Sequence, residues 1–390
     1  MKKPIYLDYA ATTPVDPKVV KAMIECLSID GHFGNPASRS HRYGWQAEEL
    51  VDIARNQVAD LIGADPREII WTSGATESDN IAIKGVAEVH GKGHIITSAF
   101  EHKAVLDCCI YLESKGFDVT YLKPDLNGFI SASQVQESIR KDTILITIMM
   151  VNNELGSIQP IDEIGVIAHK NNILFHVDAA QAAGKLKIDL ATLKVDLMSF
   201  SAHKIYGPKG MGALYARMNQ QPNVEAQMHG GGHERGLRSG TLATHQIVGM
   251  GLAFELARKE LDENDQHVIQ CKKAFLKGVL EIEGVSINGK QEAHQNVFET
   301  VPGIVNLRFA GIDSEMLIMA FKDLAISSGS ACTSASVEPS YVLKTLGLTD
   351  EESHSSLRFS FGRFTSLEEV QIAIEVVKSG YNRLKEMTVS

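Results

Sequence analysis

Long apolar runs are missing from this chain: none of its 390 positions opens a stretch of about 18 apolar residues, the length a helix needs to cross a bilayer. Clustered positive charge is missing too. With 38 Lys and Arg against 48 Asp and Glu, the formal charge is -10. This argues against nucleic acid as the main partner, because nonspecific duplex binding needs grouped basic side chains to displace counterions. Any anion must be met by local groups. Cysteine is scarce and odd in number: Cys26, Cys108, Cys109, Cys271 and Cys332 show no paired spacing. That pattern suits a reducing compartment better than a disulfide framework and leaves room for a reactive thiol. The adjacent Cys108 and Cys109 fit ordinary packing better than one metal site. The opening MKKPIYLDYA turns polar at Asp8 and has neither the apolar stretch of a secretory signal nor an Arg-rich amphipathic transit segment, so the cytoplasm is expected. Fixed-period repeats and low-complexity tracts are also absent, which leaves the glycines to serve turns or ligands.

What is present is an alternation of two periodicities. At 390 residues the chain exceeds the size at which one core stops growing, which predicts about two domains. Short β-branched runs (EIIWTS, HIITSA, TILITIMMV, ILFHVDA, VDLMSFS) alternate with helix-like stretches such as QAEELVDIARNQVADLIG and the segment after Gly74. The alternation implies an α/β protein with a mostly parallel, doubly wound sheet. From about Gly249 to Val279 the pattern becomes one long charged amphipathic helix, after which strands such as GIVNLRF alternate with fewer helices. The expected division is a large domain over 14–260 and a smaller α+β domain formed by 1–13 with 261–390.

The chemistry-bearing residues cluster at strand ends. In DLMSFSAHKIYGPKGMG an apolar strand runs into Ser201, His203 and Lys204. A lysine held in a dry pocket outside a strand's carboxyl end can lose its proton and bond an aldehyde, though a surface lysine opening a loop is the plain alternative. ILFHVDAAQ ends a second strand at Asp178, followed by Gln181. A carboxylate there can pair with a protonated pyridine nitrogen, or it can simply cap a helix. In WTSGATESDN the N–H groups of Ala75 and Thr76 can bind a phosphate at a helix start, unless Thr76 or Ser73 caps that helix. His102, in SAFEHKAV, is a ring-stacking or proton-transferring candidate as well as a structural one; Asn153, in VNNELG, offers an amide to a phenolic oxygen or forms a turn. Five strand ends thus offer lysine, acid, phosphate loop, histidine and amide, and their joint occurrence outweighs the separate plain readings.

Cys332 lies among glycine and small hydroxyl residues in AISSGSACTSASVEPS, a segment that buries little apolar surface and is expected to be mobile over about 327–337. An exposed thiol on such an arm suits a nucleophile that attacks in one place and delivers in another, with an unreactive loop thiol as the plain alternative. Arg358, in SSLRFSFGR, can clamp a carboxylate bidentately or form an ion pair. HGGGHERGLRSGT carries two histidines, but its glycines disfavour the helix a metal face would need; ending in Thr241, it can instead supply an anion contact.

With these residues in place, the chain resembles the cysteine desulfurases of the NifS/IscS family, class V aminotransferase-like enzymes, and most closely the IscS-type members. The resemblance runs nearly the whole length, through LDYAATTPVDP, FGNPASRSH, SGATESDN, EHKAV, HVDAAQ, SFSAHKIYGPKG, GGGHERGLRSGT and SSGSACTSASVEPSYVL. It implies a pyridoxal 5'-phosphate enzyme of fold type I, aspartate aminotransferase-like, acting as a homodimer with active sites at the subunit interface. Such an enzyme converts L-cysteine to L-alanine, carries the sulfur on Cys332 as a persulfide, and passes it to an IscU-type scaffold protein and other acceptors for iron–sulfur assembly and tRNA thiolation. By the same resemblance Lys204 holds the cofactor, Asp178 pairs with its ring nitrogen and His102 stacks on the ring. Ala75, Thr76, Ser201 and His203 hold the phosphate, with Thr241 reaching it from the other subunit. Asn153 and Gln181 contact the ring oxygen, and Asn35 and Arg358 the substrate carboxylate. No intrinsic metal is implied, although the Cys332 persulfide can transiently ligate a nascent cluster. Three departures stand out: Ala202 where members often have glycine, Phe100 where a small polar residue is common, and a sequence that stops at Ser390, before the tail that helps dock the scaffold.

Overall fold

The structure, a computed structural model, describes residues 3–218, 224–289, 300–328 and 338–389. Strand β1 (Ile5–Tyr6) precedes helix α1 (Pro17–Glu25), which starts where the Asp16 carboxylate accepts the Lys18 N–H and Pro17 presets the first turn. Helix α2 (Arg42–Ile62) stops at Gly63, whose φ of 63° closes the helix in the left-handed region that glycine enters without strain. The winding then proceeds through β2 (Ile69–Thr72), α3 (Ala75–His90), β3 (His94–Ser98), α4 (Lys103–Glu113), β4 (Asp118–Leu122), α5 (Ala132–Ser138), β5 (Thr143–Thr147), α6 (Ile161–Lys170), β6 (Leu174–Asp178), β7 (Leu197–Ser201) and β8 (Gly212–Ala216). Helix α7 (Thr244–Val279) leads to β9 (Val285–Ile287), β10 (Ile304–Phe309), α8 (Ser314–Ala320), β11 (Leu324–Ala325), α9 (Tyr341–Thr345), α10 (Asp350–His354), β12 (Ser356–Ser360) and α11 (Leu367–Val389).

Seven strands form the main sheet in the order β2-β8-β7-β6-β5-β3-β4. Every pairing is parallel except those of β8, which runs against both β2 and β7. The carboxyl ends of β2, β7, β6, β5 and β3 therefore share one edge. Alternate strand residues feed two apolar layers: Ile69, Trp71, Met198, Phe200 and Tyr215 pack into one, Ile70, Leu197 and Leu214 into the other. The period of two is what a sheet covered on both faces requires. A second, antiparallel sheet has the order β12-β10-β9, and β1 pairs with β11 beside it.

Helix α7 spans both regions. Its Ile247, Met250 and Phe254 sit in the core of the main sheet, whereas Cys271, Phe275 and Val279 sit in the core of the smaller one. The helix starts at Thr244, a little before the Gly249 that the amphipathic pattern marks. Among the described residues no helix is long and apolar enough to cross a membrane.

Candidate active site

The common edge of the main sheet opens into a cavity of about 550 Å³. It is lined by Ala75, Thr76, His102, Asn153, Asp178, Gln181, Ser201, His203, Lys204 and Arg358, so ten of the residues singled out in the sequence line one space. Asp178 and Ser201 close β6 and β7, which pair directly, and Lys204 follows in the tight turn Ala202–Lys204. Helix α3 points its start at the same cavity. Its N-cap is Gly74, and no side chain caps it, so neither Ser73 nor Thr76 takes that role and the first-turn N–H groups stay open to an anion.

Lys204 donates from Nζ to the carbonyls of Ala10 and Ala11, 2.7 Å from each. Gln181 donates to the same Ala10 carbonyl at 2.8 Å and accepts from Lys185 Nζ at 2.6 Å. Burial, helped by the charges of Lys204 and Arg358, pulls the Lys185 amine down to about 7. Burial pushes Asp178 up, opposed by the Ala180 N–H and by the positive charges of His102 and Lys204. His203, beside Lys204, Lys209 and Lys185, is lowered to about 4, first by burial and then by those charges. Its Nδ1 lies 3.1 Å from the Thr12 hydroxyl. His102 caps α4, with Nδ1 accepting the Ala104 N–H at 3.2 Å.

Arg358 is nearly buried and donates to Asn153 O at 2.9 Å and to Asp8 Oδ1 at 2.8 Å, while its Nε has no hydrogen-bond partner. Asn153 Oδ1 is likewise buried without a hydrogen bond. These orphaned groups, the uncapped start of α3 and the buried carboxyl of Asp178 match the phosphate, ring oxygen, ring nitrogen and carboxylate of a pyridoxal phosphate with an amino-acid substrate. The residues present fit that cofactor. Among the described residues no group of three or more His, Cys, Asp or Glu is placed to hold a metal ion.

The remaining predicted residues lie elsewhere. Asn35 and Thr241 are exposed and outside the cavity; Asn35 lines a separate cleft of about 420 Å³ together with His233 and Leu242. Cys332 lies outside the described residues. Ala202 is fully buried in the main core and is not among the residues that line the cavity. Phe100 is fully buried as well. Sequence reasoning missed Asp8, the Ala10 and Ala11 carbonyls, Lys185 and Glu77. LDYAATTP held a signal for the first three, a polar break followed by small residues at the end of an apolar run, but nothing in the sequence showed what they would meet.

Comparison with known proteins identifies the family. Residues 5–372 match the model of the family described as Aminotransferase class-V. The chain is 59% identical over 390 residues to "Cysteine desulfurase IscS" of Aeromonas salmonicida, covering 100% of this chain and 95% of that protein. Among solved structures, a "NIFS-LIKE PROTEIN" superposes with a TM-score of 0.88 at 35% identity, over 96% of this chain and 98% of the other. Another, "SspA in complex with cysteine", gives 0.82 at 41% identity, over 93% and 100%.

Proposed function

The chain belongs to the class-V aminotransferase family and, within it, to the IscS-type, pyridoxal-phosphate-dependent cysteine desulfurases, and on that premise we propose how its own residues carry the reaction. The observation that carries the proposal is that Lys204 and Asp178, from neighbouring strands, line one cavity with the uncapped start of α3. Pyridoxal phosphate, when bound, supplies an electron sink for negative charge at the substrate Cα.

Lys204 anchors the cofactor through Nζ, and Asp178 holds a proton on the ring nitrogen. Ala75, Thr76, Ser201 and His203 take the phosphate, Asn153 and Gln181 the ring oxygen, and His102 covers the ring face. Arg358 grips the substrate carboxylate with Asp8 and Asn153 fixing its fork, a planar geometry that lysine cannot reproduce. As a free amine, Lys204 Nζ would take the Cα proton of the substrate. The Cys332 thiolate then attacks the sulfur of the substrate L-cysteine. The carbon–sulfur bond breaks, a sulfur–sulfur bond forms, a proton takes the place of sulfur at Cβ, Lys204 Nζ returns the proton to Cα, and the carbon skeleton leaves as L-alanine. Cys332 is left as a persulfide and passes its outer sulfur to an IscU-type scaffold and other acceptors, for iron–sulfur assembly and tRNA thiolation.

Asn35 and Thr241, exposed and away from their own cavity, serve the site of a second copy in a homodimer. We divide the chain into a large domain over 14–260 and a small one made of 1–13 with 261–390, on the support of the two cores that α7 joins. Cys26, Cys108, Cys109 and Cys271 are free thiols, which supports a reducing compartment such as the cytoplasm.

The test is borohydride reduction of the cofactor-loaded enzyme, peptide mapping, and assay of alanine and sulfide from L-cysteine. The label should fall on Lys204, and Lys204→Ala should lose both label and turnover. A label on Lys185, a second amine close by, would overturn the assignment.

A further inference from the structure

Glu77 sits in the first turn of α3 and lines the cavity beside Ala75 and Thr76. Without a cofactor the placement is favourable: the carboxylate faces the positive end of the helix and accepts the Ser73 N–H at 2.7 Å. A bound phosphate changes the balance, because two negative groups then compete for the same helix start. Repulsion between unit charges a few ångströms apart is strong wherever water is partly excluded. Glu77 does not stand alone, however. Arg238 donates from Nε to Glu77 Oε1 at 2.7 Å and from Nη2 to Oε2 at 3.4 Å, and the two side chains are only 18% and 14% exposed. Burial by itself would lift the Glu77 pKa, yet the hydrogen bonds from Arg238 and Ser73 hold it below the usual carboxylate value, so the pair stays ionised. Arg238 does not line the cavity and comes from the glycine-rich 229–241 segment, far along the chain.

We propose that Arg238 is a positioning residue for the cofactor phosphate: its guanidinium cancels the Glu77 charge at the start of α3 and ties that start to the segment ending in Thr241. The inference rests on the reading that the phosphate sits at Ala75 and Thr76.

Charge cancellation and simple bracing predict opposite results for the two halves of the pair. Removing Arg238 leaves Glu77 bare beside the phosphate and should weaken binding. Removing the Glu77 charge breaks the same ion pair but leaves a cation nearby, and should preserve or tighten binding. The experiment titrates the full chain, freed of cofactor, with pyridoxal phosphate and with pyridoxal, which lacks the phosphate. Four forms are compared: wild type, Arg238→Ala, Glu77→Gln and the double variant, each checked for folding by thermal unfolding.

Arg238→Ala should lose about tenfold in affinity for pyridoxal phosphate and little for pyridoxal. Glu77→Gln should bind pyridoxal phosphate at least as tightly as wild type, and adding it to Arg238→Ala should restore most of the loss. The proposal is overturned if Glu77→Gln weakens binding as much as Arg238→Ala does, if the double variant is no better than Arg238→Ala, or if pyridoxal suffers equally. Should Arg238→Ala fail to fold, Glu77→Gln alone decides by the sign of its effect. Wild type binding both ligands equally would instead refute the phosphate placement itself.

Discussion

Gly212 opens β8 at the point where three parts of the site meet. It pairs with Thr72 at the end of β2 on one side and with Ser201 at the end of β7 on the other. A Cβ built there would lie 2.5 Å from Phe200 O, 2.6 Å from Gly74 Cα and 2.7 Å from Gly74 C. Ordinary carbon contacts close at about 3.5–4.0 Å, so in Gly212→Ala backbone must move by about 1 Å. Phe200 is locked inside β7, between two strands, whereas Gly74 lies beyond the end of β2 and has nothing within 4 Å on the side where its own Cβ would project. The strain therefore discharges into Gly74, the N-cap of the helix proposed to hold the phosphate. Overpacking of this kind costs about 1–3 kcal/mol. Part of that appears as lost stability of the cofactor-free chain, measured by urea unfolding, with a decrease of about 1 kcal/mol expected. The rest appears as a misplaced cradle, with pyridoxal phosphate affinity down about tenfold by titration. Wild-type affinity alongside reduced stability would show that the strain is relieved elsewhere. Wild-type values of both would refute the steric argument outright.

Cys332→Ser should keep the cofactor spectrum of wild type and abolish alanine formation from L-cysteine, since a hydroxyl is a far poorer nucleophile toward sulfur than a thiolate; wild-type alanine production by that variant would remove Cys332 from the mechanism. Glu101 is fully buried, accepts hydrogen bonds from Ser98 Oγ and Met149 N, and is raised by burial from its ordinary 4.5 to about 8. Between those two values the folded chain keeps a proton that the unfolded chain has lost, so stability falls as pH rises through that window. Glu101→Gln removes this slope, and its urea midpoint should match wild type near about pH 5 and exceed it near about pH 8; parallel slopes for the two proteins would mean that Glu101 is ionised in the fold.

How much of this was legible in the sequence follows from which interactions are local. The β-branched runs located β2, β3, β5, β6 and β7 because a strand buried on both faces must be apolar throughout. They did not locate β8, whose GALYA has no β-branched residue and is a strand only because β2 and β7 flank it. Nor did they locate β4, a half-exposed edge strand. TILITIMMV reads as one long strand, yet β5 ends at Thr147, because Met149 gives its N–H to the buried carboxyl group of Glu101 rather than to a neighbouring strand. The same division runs through the site. Lysine, acid, amide and phosphate loop are announced by their position at strand ends, which is a local property. What fixes their charge and orientation is not local: Asp8 meets Arg358 across 350 positions, Glu77 meets Arg238 across 161, and Lys204 reaches back 194 to Ala10. Lys185 makes the consequence concrete. In sequence it is one lysine among many, and only the fold, by burying it against Gln181 beside the charges of Lys204 and Arg358, lowers it to about 7 and makes it a second candidate amine near the site. The identity of the covalent lysine is therefore a question of position rather than of basicity alone. Lys204 lines the large cavity with Asp178 and the start of α3 as well as a small cavity of about 50 Å³, whereas Lys185, among the described residues, lines the small cavity and not the large one.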